Sequence, residues 1–385
     1  MLVIIPFDLP WEHTADYTHQ TAHILAKQHT VICYMQKEAR SVKEYLAQRR
    51  KPILWKKYAR NLFLYYPLYV IPLRRFQFVE KLNTYINIIL MKTLHRFMVR
   101  PHTYHKKLLW LFYPEYVYMI RAFGPSYVSL YDCVDYHAGS SPYRERRDNI
   151  IKWERKLISK CSYFFVNSQT LYDIHKRKRN DVVLVSQGFR LDTFRASSKK
   201  TMSFDTKGKP IIGYIGGMNY RLDFGLLDHL AARNPHFRFV LVGPIQENDS
   251  YHFRTIVQPQ LTALFRHPNV MHIPYIAKDQ IPGMIKQFNV AMIPYDVKLD
   301  FNKYCYPMKL FEYFYMGKPV LATPIEELKR FPKYVKIGST AKEWEKNIQE
   351  ILFKPWPTSY QKEQKRLAIT NSWEEKINVV LSYIS

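Results

Sequence analysis

Cysteine is scarce in this chain. The four that occur, Cys33, Cys133, Cys161 and Cys305, form no CxxC pair and stand at no ligand-like spacing from histidine. Such a pattern supports neither a zinc site nor a disulfide framework, and a reducing cytosol is the expected compartment. Long apolar runs are lacking too. The longest, LFLYYPLYVIPL from Leu62 to Leu73, holds twelve residues with two prolines, against the roughly 20 needed to span a bilayer. The opening MLVIIPF lacks the basic flank and cleavage site of a signal peptide and reads as a buried first strand. No GxGxxG, GxxxxGK[ST] or HExxH occurs, which argues against a dinucleotide enzyme, a P-loop NTPase and a zincin. Acidic residues are in deficit: 32 Asp+Glu face 58 Lys+Arg, a formal net charge of +26. A polyanionic neighbour follows, be it nucleic acid, an anionic membrane surface or a phosphorylated substrate, and charge alone does not choose among them.

What is present is an ordinary globular mix, 47% hydrophobic and 23% charged over 385 residues, long enough for two domains. Short apolar runs alternate with stretches of helical period, the pattern of βαβ units and parallel sheets, so the fold class is α/β. In the first half the strands are Leu2 to Ile5, Thr30 to Tyr34, Tyr127 to Asp132, Tyr163 to Asn167 and Val182 to Val185, with helices that include Thr18 to Lys27 and Arg146 to Ser159. In the second half the strands are Pro210 to Ile215, Phe237 to Val242, Val270 to Ile273, Val290 to Ile293 and Pro319 to Ala322, with helices near 224–232, 279–287 and 309–316. Each half reads as a doubly wound, Rossmann-like sheet. The Ser/Lys/Thr stretch 196–209 is the expected linker between a domain at 1–195 and one at 210–358, and 359–385 reads as a helical segment able to pack on either.

One segment breaks the rhythm. From Lys37 to Lys107 there are seventeen Lys/Arg and three Glu, a balance of +14, interleaved with aromatic and aliphatic residues. A basic aromatic insertion of this kind suits an anionic leaflet, where apolar side chains dip in and the cations stay with the headgroups. An ordinary insertion with one solvated face fits the same pattern, and nucleic acid is the third and weakest alternative.

Two segments carry chemistry. In IIGYIGGMNYRLD, Gly216 and Gly217 follow a strand and let the backbone approach a phosphate at the N-terminus of the next helix. Arg221 is placed to add a forked contact to a diphosphate, and Asp223 reads as the helix N-cap. In YCYPMKLFEYFYMGKPVLATPI, Pro307 starts a helix and Gly317 ends it, with Lys309 and Glu312 three apart on one face. Lys309 suits phosphate oxygens and Glu312 suits ribose hydroxyls; a surface ion pair between the two is the plain alternative. In the first half, Asp132 and Asp135 end a strand with His137 just beyond, and Asp8 immediately follows the first strand; a carboxylate at such an edge orients or deprotonates a hydroxyl. Asx turns would use the same aspartates. His13, His19 and His23 read as helix-face residues rather than metal ligands.

Together IGYIGGM, FRFVLVGP, PMKLFEYFYMGKPVLAT and VSQGFRLDTF resemble the GT-B glycosyltransferases, specifically glycosyltransferase family 4 and its teichuronic-acid-biosynthesis-like subgroup. The resemblance covers most of Asn167 to Thr323 and is diffuse through the basic segment. It implies two Rossmann-like domains facing across a cleft and a nucleotide diphosphate sugar, UDP-sugar favoured, as substrate, with no cofactor and no resident metal. Gly216, Gly217, Arg221 and Lys309 would hold the diphosphate, Glu312 the ribose, and Tyr275 the base. The acceptor would be a saccharide or lipid-linked saccharide hydroxyl approached from Asp132, Asp135, Asp8 and His137, in a retaining transfer that serves cell-surface polysaccharide synthesis. The expected place is the cytoplasm or, peripherally, the inner face of the cell membrane. Two departures stand out. Tyr304 occupies the first position of the family's glutamate pair, which leaves sugar recognition to a neighbour such as Asp300 or Asn302, and Arg190 replaces the usual Asp after Gly188. A sugar-nucleotide epimerase and a basic nucleic-acid-binding protein are the rival readings.

Overall fold

The computed structural model describes residues 1–12, 17–47, 54–72, 76–99, 104–140, 144–195, 208–246 and 253–384. Among the described residues of the first part of the chain there are ten strands: β1 (Leu2–Phe7), β2 (Thr30–Met35), β3 (Arg40–Ser41), β4 (Trp55–Ala59), β5 (Leu62–Tyr65), β6 (Leu68–Tyr69), β7 (Lys107–Leu111), β8 (Val128–Cys133), β9 (Tyr163–Val166) and β10 (Val183–Leu184). Every residue of β1 is buried, as a strand covered on both faces requires. The main sheet runs β10-β9-β8-β7-β1-β2-β5-β4, and β3 and β6 pair separately. Among the described strands of this sheet only the edge pair β4/β5 is antiparallel. Successive strands leave β1 on opposite sides, so the order reverses between β1 and β7, and a doubly wound sheet offers its ligand crevice at the carboxyl ends there.

The basic segment is therefore not an insertion on a finished sheet. Its LFLY run becomes the fully buried β5, paired with β2 through Val31↔Leu62 to Tyr34↔Tyr65. Both lysines of its KK pair are exposed on β4, where an edge strand benefits from charge.

Six strands build a second sheet: β11 (Ile211–Ile215), β12 (Arg238–Val242), β13 (Val270–Ile273), β14 (Val290–Ile293), β15 (Val320–Ala322) and β16 (Val335–Ile337). Its order is β13-β12-β11-β14-β15-β16, all parallel, which is the nucleotide-binding Rossmann order with its switch point between β11 and β14. The helix Lys309–Tyr315 buries Leu310, Phe311, Tyr313 and Phe314 against this core, and Gly317 at φ 62° ends it, a left-handed C-terminal stop that favours glycine.

The chain divides into Met1–Ser186 with Lys376–Ser385, and Gln187–Glu375. The division thus precedes the expected linker, most of which, 196–207, lies outside the described residues. The terminal segment belongs to neither side alone. The helix Thr358–Thr370 stays with the second unit, whereas Ile377, Val380 and Ile384 of the last helix enter a core with Val3, Ile5 and Trp110 of the first.

Candidate functional site

At the switch point of the second sheet, β11 delivers Gly216 with φ 143°, a conformation costly for any residue with a side chain. A Cβ there would stand 2.4 Å from Lys309 Cε, 2.7 Å from Lys309 Nζ and 2.9 Å from the Tyr214 hydroxyl. Behind it, a Cβ on Gly243 would meet the Gly216 carbonyl oxygen at 2.3 Å. Two glycine turns are thus packed back to back under one lysine. The Gly216 N–H is engaged by the Val242 carbonyl at 2.8 Å, so Gly216 contributes room rather than a donor.

Lys309 enters from the first turn of its helix. Its ammonium donates to the Tyr295 hydroxyl at 3.0 Å instead of closing an ion pair with Glu312, and lies 5.3 Å from the Tyr214 ring and 5.6 Å from the Tyr295 ring. Burial opposes its charge, but the oxygens of Tyr214, Tyr295 and Tyr313 outweigh that and hold its pKa above the ordinary lysine value. Arg221 arrives from the other side, its guanidinium carbon 4.7 Å from the same Tyr295 ring and 4.8 Å from Phe301. Two cations 88 positions apart, 309 minus 221, therefore converge on one tyrosine two residues beyond β14. Cation–π contact holds each charge without neutralising it.

Asn302 fixes the arginine. Arg221 Nε donates to its Oδ1 at 2.7 Å, while its Nδ2 donates to the carbonyls of Arg221 at 3.0 Å and Asp296 at 2.9 Å. With no exposed surface, Asn302 is committed to positioning Arg221 and is withdrawn as a sugar contact; Asp300, half-buried, keeps that candidacy. Asp223 is the N-cap expected of it, accepting from the Leu226 N–H at 2.9 Å.

Glu312 is half-buried. Desolvation raises its pKa above the usual carboxylate value, opposed by the charges of Lys309 and Arg190. Arg190 thus comes within electrostatic reach of the proposed ribose ligand, and its buried Nε has no hydrogen-bond partner among the described residues. Tyr275, beyond β13, is 74% exposed and offers a free ring face at the same carboxyl edge. Neighbouring His272 is occupied structurally, bonded to the Gly243 carbonyl at 3.0 Å and stacked on Phe265.

In the first unit, β1, β7 and β8 bring Asp8, Tyr113 and the 135–137 turn to one edge. Tyr116 donates to Asp8 Oδ1 at 3.0 Å, and the Tyr113 ring stands 6.1 Å from Tyr116 and 5.7 Å from His137. Burial pushes His137 down to about 4, which keeps it neutral at physiological pH, and its Nε2 has no partner among the described residues. Asp135 is half-buried beside it.

Asp132 is a correction. It has no exposed surface, accepts from Trp110 Nε1 at 3.3 Å and pairs with Lys376 at 3.0 Å, so it joins the last helix to the sheet and does not face an acceptor. His19 and His23 pack on Trp11, and His13 lies outside the described residues. Cys133, Glu154 and His175 group within 4.8 Å of one another. They come from three separate elements, which linear spacing does not reveal. Tyr131 donates to Glu154 at 3.1 Å, and the Lys178 ammonium 3.4 Å from His175 Nδ1 opposes a metal cation there.

Tyr295 and Tyr214 were missed as site residues, and Arg190 was noted only as a departure from the family pattern after Gly188.

No protein-family model matches the chain. It is 24% identical over 292 residues to a Bacillus subtilis (strain 168) protein named as a teichuronic acid biosynthesis glycosyltransferase, covering 71% of each. Among solved structures it resembles the sucrose-phosphate synthase of Thermosynechococcus elongatus, with a TM-score of 0.73 at 16% identity over 100% of this chain and 98% of that one. It also resembles Anabaena HepE in complex with UDP, with a TM-score of 0.65 at 12% identity over 100% and 98% of the two chains. These likenesses establish the GT-B fold read from the sequence.

Proposed function

We propose that this chain, a glycosyltransferase of the GT-B fold, moves a sugar from a UDP-sugar to a saccharide hydroxyl with retention of configuration and without a resident metal. The observation that carries the reading is the convergence of Arg221 and Lys309 on Tyr295 beside Gly216. As the bond to C1 breaks, negative charge builds on the departing β-phosphate. Two cations already fixed in place stabilise that charge without reorganising, and such preorganised electrostatics are commonly the largest contribution to transfer catalysis. They occupy the role a divalent ion would otherwise have. The bare Gly216 lets the diphosphate close on Lys309, the Glu312 carboxylate accepts the ribose hydroxyls, and Tyr275 meets the base. Retention is what the family resemblance implies.

On the acceptor side Asp8 and Asp135 are the carboxylates able to orient a hydroxyl, with neutral His137 at the same edge. The acceptor is a growing or lipid-linked saccharide of a cell-surface polymer, in keeping with the teichuronic acid name of the Bacillus relative. A peripheral seat on the anionic inner leaflet fits the +14 segment.

A thermal-shift panel of UDP-, GDP- and ADP-sugars tests the donor, because a ligand that binds only the folded state adds about 2.7 kcal/mol at a hundred times its Kd. UDP and its sugars are expected to raise Tm, with Lys309→Ala and Arg221→Ala abolishing the shift and EDTA leaving transfer intact. A chain that no nucleotide stabilises, while single-stranded nucleic acid does, would overturn the reading.

A further inference from the structure

The helix Gln77–Met98 is turned inside out. Its buried side carries Val79, Ile88 and Met91 but also Asn83, Thr84 and Asn87. The asparagines are spent on main chain. Asn87 accepts from the Tyr65 hydroxyl at 2.7 Å and the Leu68 N–H at 2.8 Å, and donates to the Leu68 carbonyl at 2.7 Å. Asn83 both accepts from and donates to Ile71 at 2.9 Å. They act as a side-chain ladder for the irregular run after β5 and β6, which explains why polar residues face inward.

The outward side is apolar. Phe78 is 68% exposed, Leu82 47%, Ile89 66% and Phe97 80%. At about 100° per residue, Phe78, Leu82, Ile89 and Arg96 fall within roughly 40° of one line along the helix. Exposed Lys81 flanks that line by about 60° on one margin and Phe97 by about 100° on the other, with Arg96 on the line itself. Aromatic and aliphatic residues flanked by cations match the boundary between acyl chains and anionic headgroups. Nucleic acid has no use for a row of Leu82 and Ile89, and a second copy would set Lys81 and Arg96 against their own kind in a chain of net charge +26.

We propose that this outward face is the surface by which the protein lies on an anionic lipid leaflet, Phe78, Leu82, Ile89 and Phe97 entering the acyl boundary and Lys81 and Arg96 meeting lipid phosphates. It deepens the peripheral seat proposed above and is independent of the transfer chemistry.

The full chain is tested by co-sedimentation with phosphatidylcholine vesicles containing about a third phosphatidylglycerol, and with phosphatidylcholine alone, across a salt series. Binding is expected to the anionic vesicles, weakening as salt rises. The variant Leu82→Gln/Ile89→Gln/Phe97→Ser should bind at least about tenfold more weakly with unchanged Tm and UDP shift, and Lys81→Glu/Arg96→Glu should remove the salt dependence. Phe353→Ser, at an exposed aromatic of the other unit, should change nothing. Equal binding of the triple variant and the parent overturns the proposal, as does equal binding to neutral vesicles. So does a lipid-free dimer that the triple variant dissolves, or capture of single-stranded nucleic acid by this face instead of vesicles. Vesicle binding that persists in a chain no nucleotide stabilises would strike the transfer reading and leave this one standing.

Discussion

Adding a single methyl group at Gly216 should disable a lysine that is 93 positions away, 309 minus 216. In Gly216→Ala the new Cβ would stand 2.4 Å from Lys309 Cε and 2.7 Å from Nζ, well inside contact distance, and the backbone would keep φ 143°. The strained backbone costs about 1–3 kcal/mol of folding stability. Ligand binding should suffer separately, because Lys309 must leave the Tyr295 hydroxyl and with it the place proposed for the donor phosphate. A lost charge-assisted contact is worth about 1.5–3 kcal/mol, which is a roughly 10- to 150-fold weaker Kd for UDP. Calorimetric titration with UDP and urea unfolding separate the two effects. A double-mutant cycle with Lys309→Ala isolates the mechanism. With the lysine gone the two shortest contacts vanish and only the Tyr214 hydroxyl at 2.9 Å remains, so the second substitution should add little to the loss of UDP affinity, and the coupling should approach the single-variant effect of about 1.5–3 kcal/mol. Strict additivity, or UDP affinity in Gly216→Ala within about twofold of the parent, would refute the steric argument.

Asn302→Ala should weaken UDP binding and cost about 1–3 kcal/mol in urea unfolding, since Arg221 loses its acceptor and two main-chain carbonyls lose their donor; unchanged UDP affinity would show that Arg221 needs no such support. On the proposed ribose role of Glu312, UDP affinity should rise with pH through its raised pKa, because a carboxylate accepts from hydroxyls where the neutral acid competes as a donor. Arg190 holds that pKa down, so Arg190→Ala should move the titration midpoint upward and Glu312→Gln should flatten the profile. Lys376→Met leaves Asp132 as an uncompensated buried charge and should destabilise the first unit by about 3–5 kcal/mol, visible as a lower Tm with UDP affinity unaltered; a preserved Tm would return Asp132 to the acceptor candidates.

Five of the six strands of the second sheet were legible, as apolar runs bounded by Gly, Pro or Asn, whereas β16 is only the three residues VKI with an exposed lysine and was not read. The first was half hidden. LFLY supplies only four residues to β5, and the charges of Lys56 and Lys57 read as insertion although they face solvent from an edge strand. Within the site, the glycine pair, Arg221, Lys309 and Glu312 announced themselves by residue type and spacing. Tyr295 did not, since 30 tyrosines leave no single one conspicuous. Asn302 reaches Arg221 across 81 positions and Lys376 reaches Asp132 across 244. No local window holds such pairs, which is why an aspartate at a strand end looked catalytic and an asparagine looked like a sugar ligand.

The pairing of Asp132 with Lys376 also orders events in time. Translation makes the aspartate early and its counter-charge after the whole of Gln187–Glu375 has emerged. A nascent chain short of position 376 thus carries a sheet whose central acid is unmatched and whose apolar surface around Val3, Ile5 and Trp110 lacks Ile377, Val380 and Ile384. The unit that begins the chain is thus completed only after the whole of the other unit has followed it, when the last helix supplies its counter-charge and its missing apolar side chains.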